Sequence, residues 1–376
     1  MEKMMNIPLA SQDISDLEIK VVNEILRSDR LSLGPRIEEF EKAVCDYVGC
    51  KYAAGMNSGT SVLHVAMLAA GVGPGDEVIT PSFSFISTAN VILYTGAKAV
   101  FVDIDPDTWQ IDPAAIEAAI TPKTKAIIPV HVFGQPAQMK PILDIAKRHN
   151  LAVIEDSCEA IGARLDGVKV GTFGMCGAFA FYPNKQITTG EGGMLVTNDP
   201  DVARIARSLR NQGRGEGASW LCHERLGYNY RMSEINAGLG WAQMQRLDSF
   251  IEKRALVAKW YTERLKDDKR LILQKIASNV SVSWFVYVVR LTDEYTADQK
   301  SKLLKLLTEH GIGCNAYFAP IHLQKFYREQ YGHREGELPI TEHVGSRSFA
   351  IPFSTKITED QVDYVCDTLK KLISEL

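Results

Sequence analysis

The 376-residue chain has no excess of basic residues: 42 Lys and Arg stand against 46 Asp and Glu, a formal charge of −4. That balance argues against a broad surface for nucleic acid or an anionic membrane, though a local patch stays open. No run approaches the roughly 18 apolar residues that a membrane span needs. The opening residues (MEKMMNIPLASQDISDLEIK) carry no apolar stretch after their charges, so no signal peptide is expected. The seven cysteines, at 45, 50, 158, 176, 222, 314 and 366, are scattered, and none forms CxxC or a zinc-like spacing. Free thiols in a reducing cytoplasm are the expectation, with no metal. No GxGxxG follows the first strand and no GxxxxGKS or GxxxxGKT occurs, so dinucleotide and P-loop readings lack their phosphate cradles. The run DIDPDTWQID (103–112) opens like a calcium loop with Asp103, Asp105 and Asp107. It has Thr108 where that loop needs Gly and Ala114 where it needs Glu.

What is present is globular composition, 45% apolar and 23% charged, arranged as short apolar runs alternating with helical patterns. Strand-like segments are GDEVITPS (75–82), AKAVFVDID (97–105), KAIIPVHVFG (125–134), LAVIEDS (151–157), GAFAFYP (177–183) and GGMLVTND (192–199). Several are continuously apolar, as strands buried on both faces are. Between them TSVLHVAMLAAG (60–71), STANVILYTG (87–96) and MKPILDIAKRHN (139–150) have helical spacing and end in Gly or Asn. This alternation predicts an α/β fold, a mostly parallel sheet between helical layers. From 232 to 266 the pattern reads as one long helix. After it come a strand candidate (281–291), a helix (296–311) and a terminal helix (358–376), while 323–343 reads as a polar loop. A domain change is placed near 245, giving a large domain over 1–245 and a smaller α+β domain over 246–376.

Three segments carry chemistry. In GMNSGTSVLHVAML (55–68), Asn57, Ser58, Gly59 and Thr60 precede an apolar helix. That is an ordinary N-cap or, with glycine letting an anion approach the backbone, a phosphate site. In LAVIEDSCEA (151–160), Glu155 and Asp156 end an apolar strand, where open α/β sheets bind ligands. Asp156 either holds a cationic ring nitrogen or caps a turn, and Glu155 reads as a neighbour that points elsewhere. In FAFYPNKQITTGEGG (179–193), Lys185 follows an aromatic stretch that can desolvate its amine for Schiff-base chemistry. Alone, it also reads as a solvated loop lysine. Taken together, an anion cradle, a carboxylate and an amine are what pyridoxal 5'-phosphate (PLP) requires.

At this point the sequence resembles the DegT/DnrJ/EryC1/StrS family of PLP-dependent sugar aminotransferases, perosamine-synthase-like, within the aspartate-aminotransferase fold group (PLP fold type I). The blocks run from LSLGPRIEEFE (31–41) through NSGTSVLH, TPSFSFISTANVI, VHVFGQPAQM, EDSCEAIGA, YPNKQITTGEGGM and LGYNYRMSEINAGLG to APIHLQKFY (319–327). The resemblance implies that Lys185 is the Schiff-base lysine and Asp156 the partner of the pyridinium nitrogen. It gives Ser58, Gly59 and Thr60 to the phosphate turn and Phe85 to the cofactor ring. Glu159 is implied near the ring hydroxyl, Asn229 at the cofactor phosphate of a neighbouring subunit, and His322 near the sugar. One departure is Ala180, where many members carry a phosphate-binding Ser.

Lys185 argues against the dehydratase branch, which replaces the lysine with His. The implied reaction moves an amino group from L-glutamate to a keto-sugar linked to a nucleotide diphosphate, with ping-pong kinetics, in a cytoplasmic homodimer with shared active sites. Glu159 and its block lean toward the C4 ketone of a 4-keto-6-deoxy sugar for cell-surface polysaccharide. The alternatives are a sugar dehydratase on the same scaffold or a non-catalytic PLP-fold regulator. His131 and His64 read as packed histidines.

Overall fold

The computed structural model describes residues 5–215, 217 and 221–376. In chain order the first strands are β1 (Tyr52–Met56), β2 (Glu77–Pro81), β3 (Lys98–Val102), β4 (Thr124–Ile127), β5 (Ala152–Asp156), β6 (Arg164–Leu165), β7 (Val168–Lys169), β8 (Cys176–Ala180) and β9 (Gly193–Thr197). Seven of them form one sheet in the order β1-β9-β8-β5-β4-β2-β3. β9 runs antiparallel to both neighbours, and every other pair is parallel. The mostly parallel sheet expected from the sequence is therefore present.

Helices cover both faces, and strand alternation decides which residue meets which layer. Val78 and Ile154 join one cluster with Val62, Val65 and Val202, from helices Gly59–Ala69 and Pro200–Arg210. Their neighbours Ile79 and Val153 join the opposite cluster with Ile116 and Ile142, from helices Pro113–Ala119 and Met139–His149. β2 and β9 are buried at every position, which accounts for their continuous apolar character. β1 was not foreseen; its Ala- and Gly-rich sequence becomes a strand by pairing with β9.

Later strands are β10 (Leu271–Leu273), β11 (Val280–Ser281), β12 (Tyr287–Leu291), β13 (Asn315–Ala316) and β14 (Ser348–Ile351). β11 joins β6 and β7 in a short ribbon, and the other four make an antiparallel sheet in the order β10-β12-β14-β13. Tyr261, Leu265, Val289, Leu303, Phe349 and Leu369 form a separate core there. Ile7 belongs to it as well: its N–H donates to Gly311 O and its carbonyl accepts from Gly313 N, both at 2.8 Å.

Two expectations are corrected. The long helix is two, Glu234–Met244 and Leu247–Leu265, interrupted at Gln245 and Arg246. We propose this break as the division between 1–245 and 246–376. The stretch 323–343 is not a loop: it holds helix Lys325–Tyr331 and enters helix Pro339–Arg347. Tyr327 is buried there, its hydroxyl donating to Asn90 Oδ1 at 2.9 Å. Asp103, from the failed calcium pattern, accepts from Ile340 N and Thr341 N and so caps the second helix. Among the described residues no metal-ligand cluster occurs, and no helix is long and apolar enough to cross a membrane.

Candidate active site

The carboxyl ends of the parallel strands surround a cavity of about 380 Å³, where ligands bind in sheets of this kind. Ser58, Gly59, Thr60, Phe85, Asp156, Glu159 and Lys185 all line it. These seven residues come from four separate segments of the chain.

Ser58 follows β1 and is the N-cap of helix Gly59–Ala69, its Oγ accepting from Ser61 N at 3.1 Å. Capping and a cavity-facing helix start coexist here, and the free N–H groups of such a turn favour an anion. Two glycines allow the close packing. A Cβ on Gly193 would lie 2.6 Å from Ser58 C and O, and one on Gly59 would lie 2.7 Å from the Ala180 Cβ. Ala180 thus takes the room against which the turn packs. Thr60 Oγ1 donates to Ser87 Oγ at 2.9 Å, and both residues line the cavity, as Ala180 does.

Asp156 ends β5 and is 5% exposed. Its Oδ2 accepts from Thr88 Oγ1 at 2.7 Å, and its Oδ1 from Cys158 N at 3.2 Å. Thr88 has one proton and commits it to the carboxylate, so Ser84 Oγ, 2.9 Å away, is the donor to Thr88. The carboxylate is held by two donors with an edge left toward the cavity.

Glu155, its neighbour, faces away as read. Its Oε1 accepts from Phe173 N and Gly174 N at 2.7 and 2.8 Å, and its Oε2 from Gly171 N at 2.7 Å. His131 Nε2 lies 3.1 Å from the same Oε2, and His131 Nδ1 accepts from Ala137 N, making it a packed histidine. Glu155→Ala is expected to cost about 3 kcal/mol of stability or more, because several buried donors lose their acceptor. A denaturant titration measures it, and an unchanged midpoint would contradict the assignment.

Lys185 sits in a turn after β8, its N–H donating to Tyr182 O at 2.9 Å. Its side chain is 13% exposed, with Nζ 3.5 Å from Glu159 Oε1 and 3.9 Å from the centroid of the Phe285 ring. The aromatic ring at the amine comes from Phe285 and not from the FAFYP stretch that precedes the lysine. Glu159 is buried, and its Oε2 accepts from Phe133 N at 2.9 Å. Burial pushes its carboxyl up, while the Lys185 amine and the Phe133 N–H pull the other way. Tyr317 also lines the cavity, and burial, with the Glu159 charge adding to it, pushes its hydroxyl up to about 12, which keeps it a donor at neutral pH.

Two residues of the sequence reading are not in this cavity. Asn229 is exposed and pairs with Asn211 in an isolated bridge. His322 is fully buried: Nδ1 lies 2.7 Å from Ser82 Oγ and Nε2 lies 3.1 Å from Glu342 Oε1. With no exposed surface on this chain and both nitrogens engaged, His322 braces the segment after β2. Conversely, Thr88, Phe285 and Tyr317 were missed. The hydroxyl-rich PSFSFIST block held a signal for Thr88, since Ser84 and Thr88 stand four apart. Phe285 and Tyr317 come from the distant C-terminal half, and only the fold brings them in.

The residues present fit PLP. There is a helix start relieved of Cβ atoms for a phosphate, a held carboxylate for a ring nitrogen, an amine, and an exposed Phe85 for the ring. Fold and site together define a PLP-dependent enzyme, and comparison with known proteins makes it a sugar aminotransferase. The model of the DegT/DnrJ/EryC1/StrS aminotransferase family matches residues 12–370, and the chain belongs to that family. GDP-perosamine synthase of Caulobacter vibrioides is 42% identical, with 91% of each chain covered. The structure of S. venezuelae DesV is 32% identical, covers 99% of each chain and superposes with a TM-score of 0.91. Spr1654 of Streptococcus pneumoniae, solved in its PLP form, is 27% identical with 99% of each chain covered and a TM-score of 0.93.

Proposed function

We propose that the protein transfers the amino group of L-glutamate to a nucleotide-linked keto-sugar, leaning to a 4-keto-6-deoxy sugar destined for cell-surface polysaccharide. The observation that carries the reading is the gathering of Lys185, Asp156 and the Ser58 helix start around one cavity. The 42% identity to a GDP-perosamine synthase supports the nucleotide-linked sugar. Glu159 and its block support the C4 ketone.

PLP, when bound, supplies an aldehyde that exchanges amines and a ring that takes up the electron pair left by a broken C–H bond. The rest is the work of the chain. Ser58, Gly59 and Thr60 bind the phosphate through helix-start N–H groups, with the Thr60 and Ser87 hydroxyls offsetting the absent serine. Asp156 would hold a proton at the ring nitrogen, Phe85 would stack on the ring, and Glu159 would stand near the ring hydroxyl. Lys185 anchors the cofactor and, once free, moves a proton to and from the reacting carbon as general acid and base. Asn229, exposed on its own chain, reaches the cofactor phosphate of a second copy in a homodimer. The proposed location is the cytoplasm.

Gly193→Ala tests the phosphate turn. The added methyl displaces Ser58 or Gly59, and loss of one charge-assisted hydrogen bond, worth about 1.5–3 kcal/mol, weakens PLP binding about ten- to hundredfold. Equilibrium dialysis against PLP reads it; unchanged affinity would place the phosphate elsewhere. The reaction itself is tested by incubating the PLP-loaded protein with glutamate and a panel of GDP-, UDP- and dTDP-linked keto-sugars, with products read by mass spectrometry. An amino-sugar product is expected. Loss of a hydroxyl without amination would mean dehydration, and no spectral change with any amino donor would mean a non-catalytic protein.

A further inference from the structure

Behind the Lys185 amine lies a charged side chain that belongs to none of the motifs above. Arg254, on helix Leu247–Leu265, is 4% exposed. Its Nη2 donates to the Lys185 carbonyl oxygen at 3.0 Å, and its Nη1 to the carbonyls of Phe285 at 3.1 Å and Trp284 at 3.3 Å. Burial alone pulls the guanidinium down to about 10, and among the described residues no carboxylate offsets that. Burying a cation without an acid partner is costly, and a neutral donor would satisfy one carbonyl for less. Only the planar fork of an arginine, with five donors, reaches both segments at once.

Those two segments hold the amine and the ring it lies against, while Glu159, its other near contact, stands on a third. One carries Lys185 itself; the other carries Phe285, whose ring centroid is 3.9 Å from Nζ. Resting on the reading of Lys185 as the cofactor lysine, we propose that Arg254 is a positioning residue, fixing the amine in the cavity by clamping its own carbonyl and the backbone of the ring it lies against. A second tie keeps the segments joined when Arg254 is changed. Gln186 Nε2 donates to Glu159 O at 2.6 Å and to Ser283 O at 2.7 Å. The loss of Arg254 therefore loosens the amine without detaching its loop.

The test follows covalent capture of PLP by the full-length apoprotein, mixed rapidly and monitored by absorbance, with borohydride trapping and peptide mapping to locate the linkage. Thermal melting of each apoprotein runs alongside. Arg254→Met is expected to slow capture at Lys185 about tenfold or more, since an ångström of misplacement costs up to about a hundredfold. Arg254→Lys keeps the charge but not the fork and is expected to fall between it and wild type. It also decides the matter if Arg254→Met does not fold. Capture at the wild-type rate in a variant that only melts earlier would overturn the proposal and leave Arg254 a scaffold residue. If wild type itself captures PLP at another lysine, or at none, the reading of the site fails and the proposal with it; wild-type capture at Lys185 with no effect of either variant sinks the Arg254 claim alone.

Discussion

Lys185→Ala is expected to abolish turnover while leaving a protein that still binds PLP without a covalent link. Two functions go with the amine. The anchor is lost, and so is the group that moves a proton to and from the reacting carbon, a role worth about 10²–10⁴ in rate. The phosphate turn, Asp156 and Phe85 are untouched, because Lys185 Nζ has Glu159 and Phe285 as its near contacts, neither of them part of that cradle. Single-turnover measurement with glutamate reads the first effect and dialysis against PLP the second. Retention of most wild-type turnover would remove Lys185 from the chemistry.

Asp156→Asn is the next largest expected effect, and the one that isolates charge from shape. The amide fits the space of the carboxylate and can still take the Thr88 hydrogen bond through its oxygen, though its NH2 cannot accept from Cys158 N as Oδ1 does. Its NH2 then faces the ring nitrogen as a donor, favouring the unprotonated ring and weakening its hold on an electron pair. Loss of one charge-assisted hydrogen bond, about 1.5–3 kcal/mol, corresponds to a rate about ten- to hundredfold lower. PLP affinity changes less than turnover, since the phosphate contacts persist. Thr88→Val, which frees the carboxylate of one donor, is expected to move the rate in the same direction by less. An equal loss of affinity and rate would mean that Asp156 serves only to bind.

Local chemistry made much of this legible before any coordinates. EDS and YPNK each end an apolar run with residues that a buried strand does not carry, and NSGT opens an apolar helix, so much of the sheet and the mouth of its cavity were readable together. The Ala180 departure was readable too, although its use as packing room for Gly59 was not. What stayed hidden depends on long-range pairing. β1 has the sequence YAAGM, which has little strand propensity of its own, and its register against β9 fixes it. The interruption at Gln245 and Arg246 leaves the apolar pattern running on, so periodicity shows one helix. The stretch 323–343 is polar because its helices are short and half exposed. Tyr327 and the cap from Asp103 fix them, through contacts more than two hundred residues distant. The burial of His322 against Ser82 and Glu342 was not legible in its motif. Arg254 had no motif at all.

The most direct measurement of the central assignment is reduction of the PLP-loaded, full-length protein with borohydride, followed by digestion and peptide mapping. The account predicts a single pyridoxyl label, on the peptide that contains Lys185. A label on any other lysine, or complete release of the cofactor on denaturation after reduction, would contradict it.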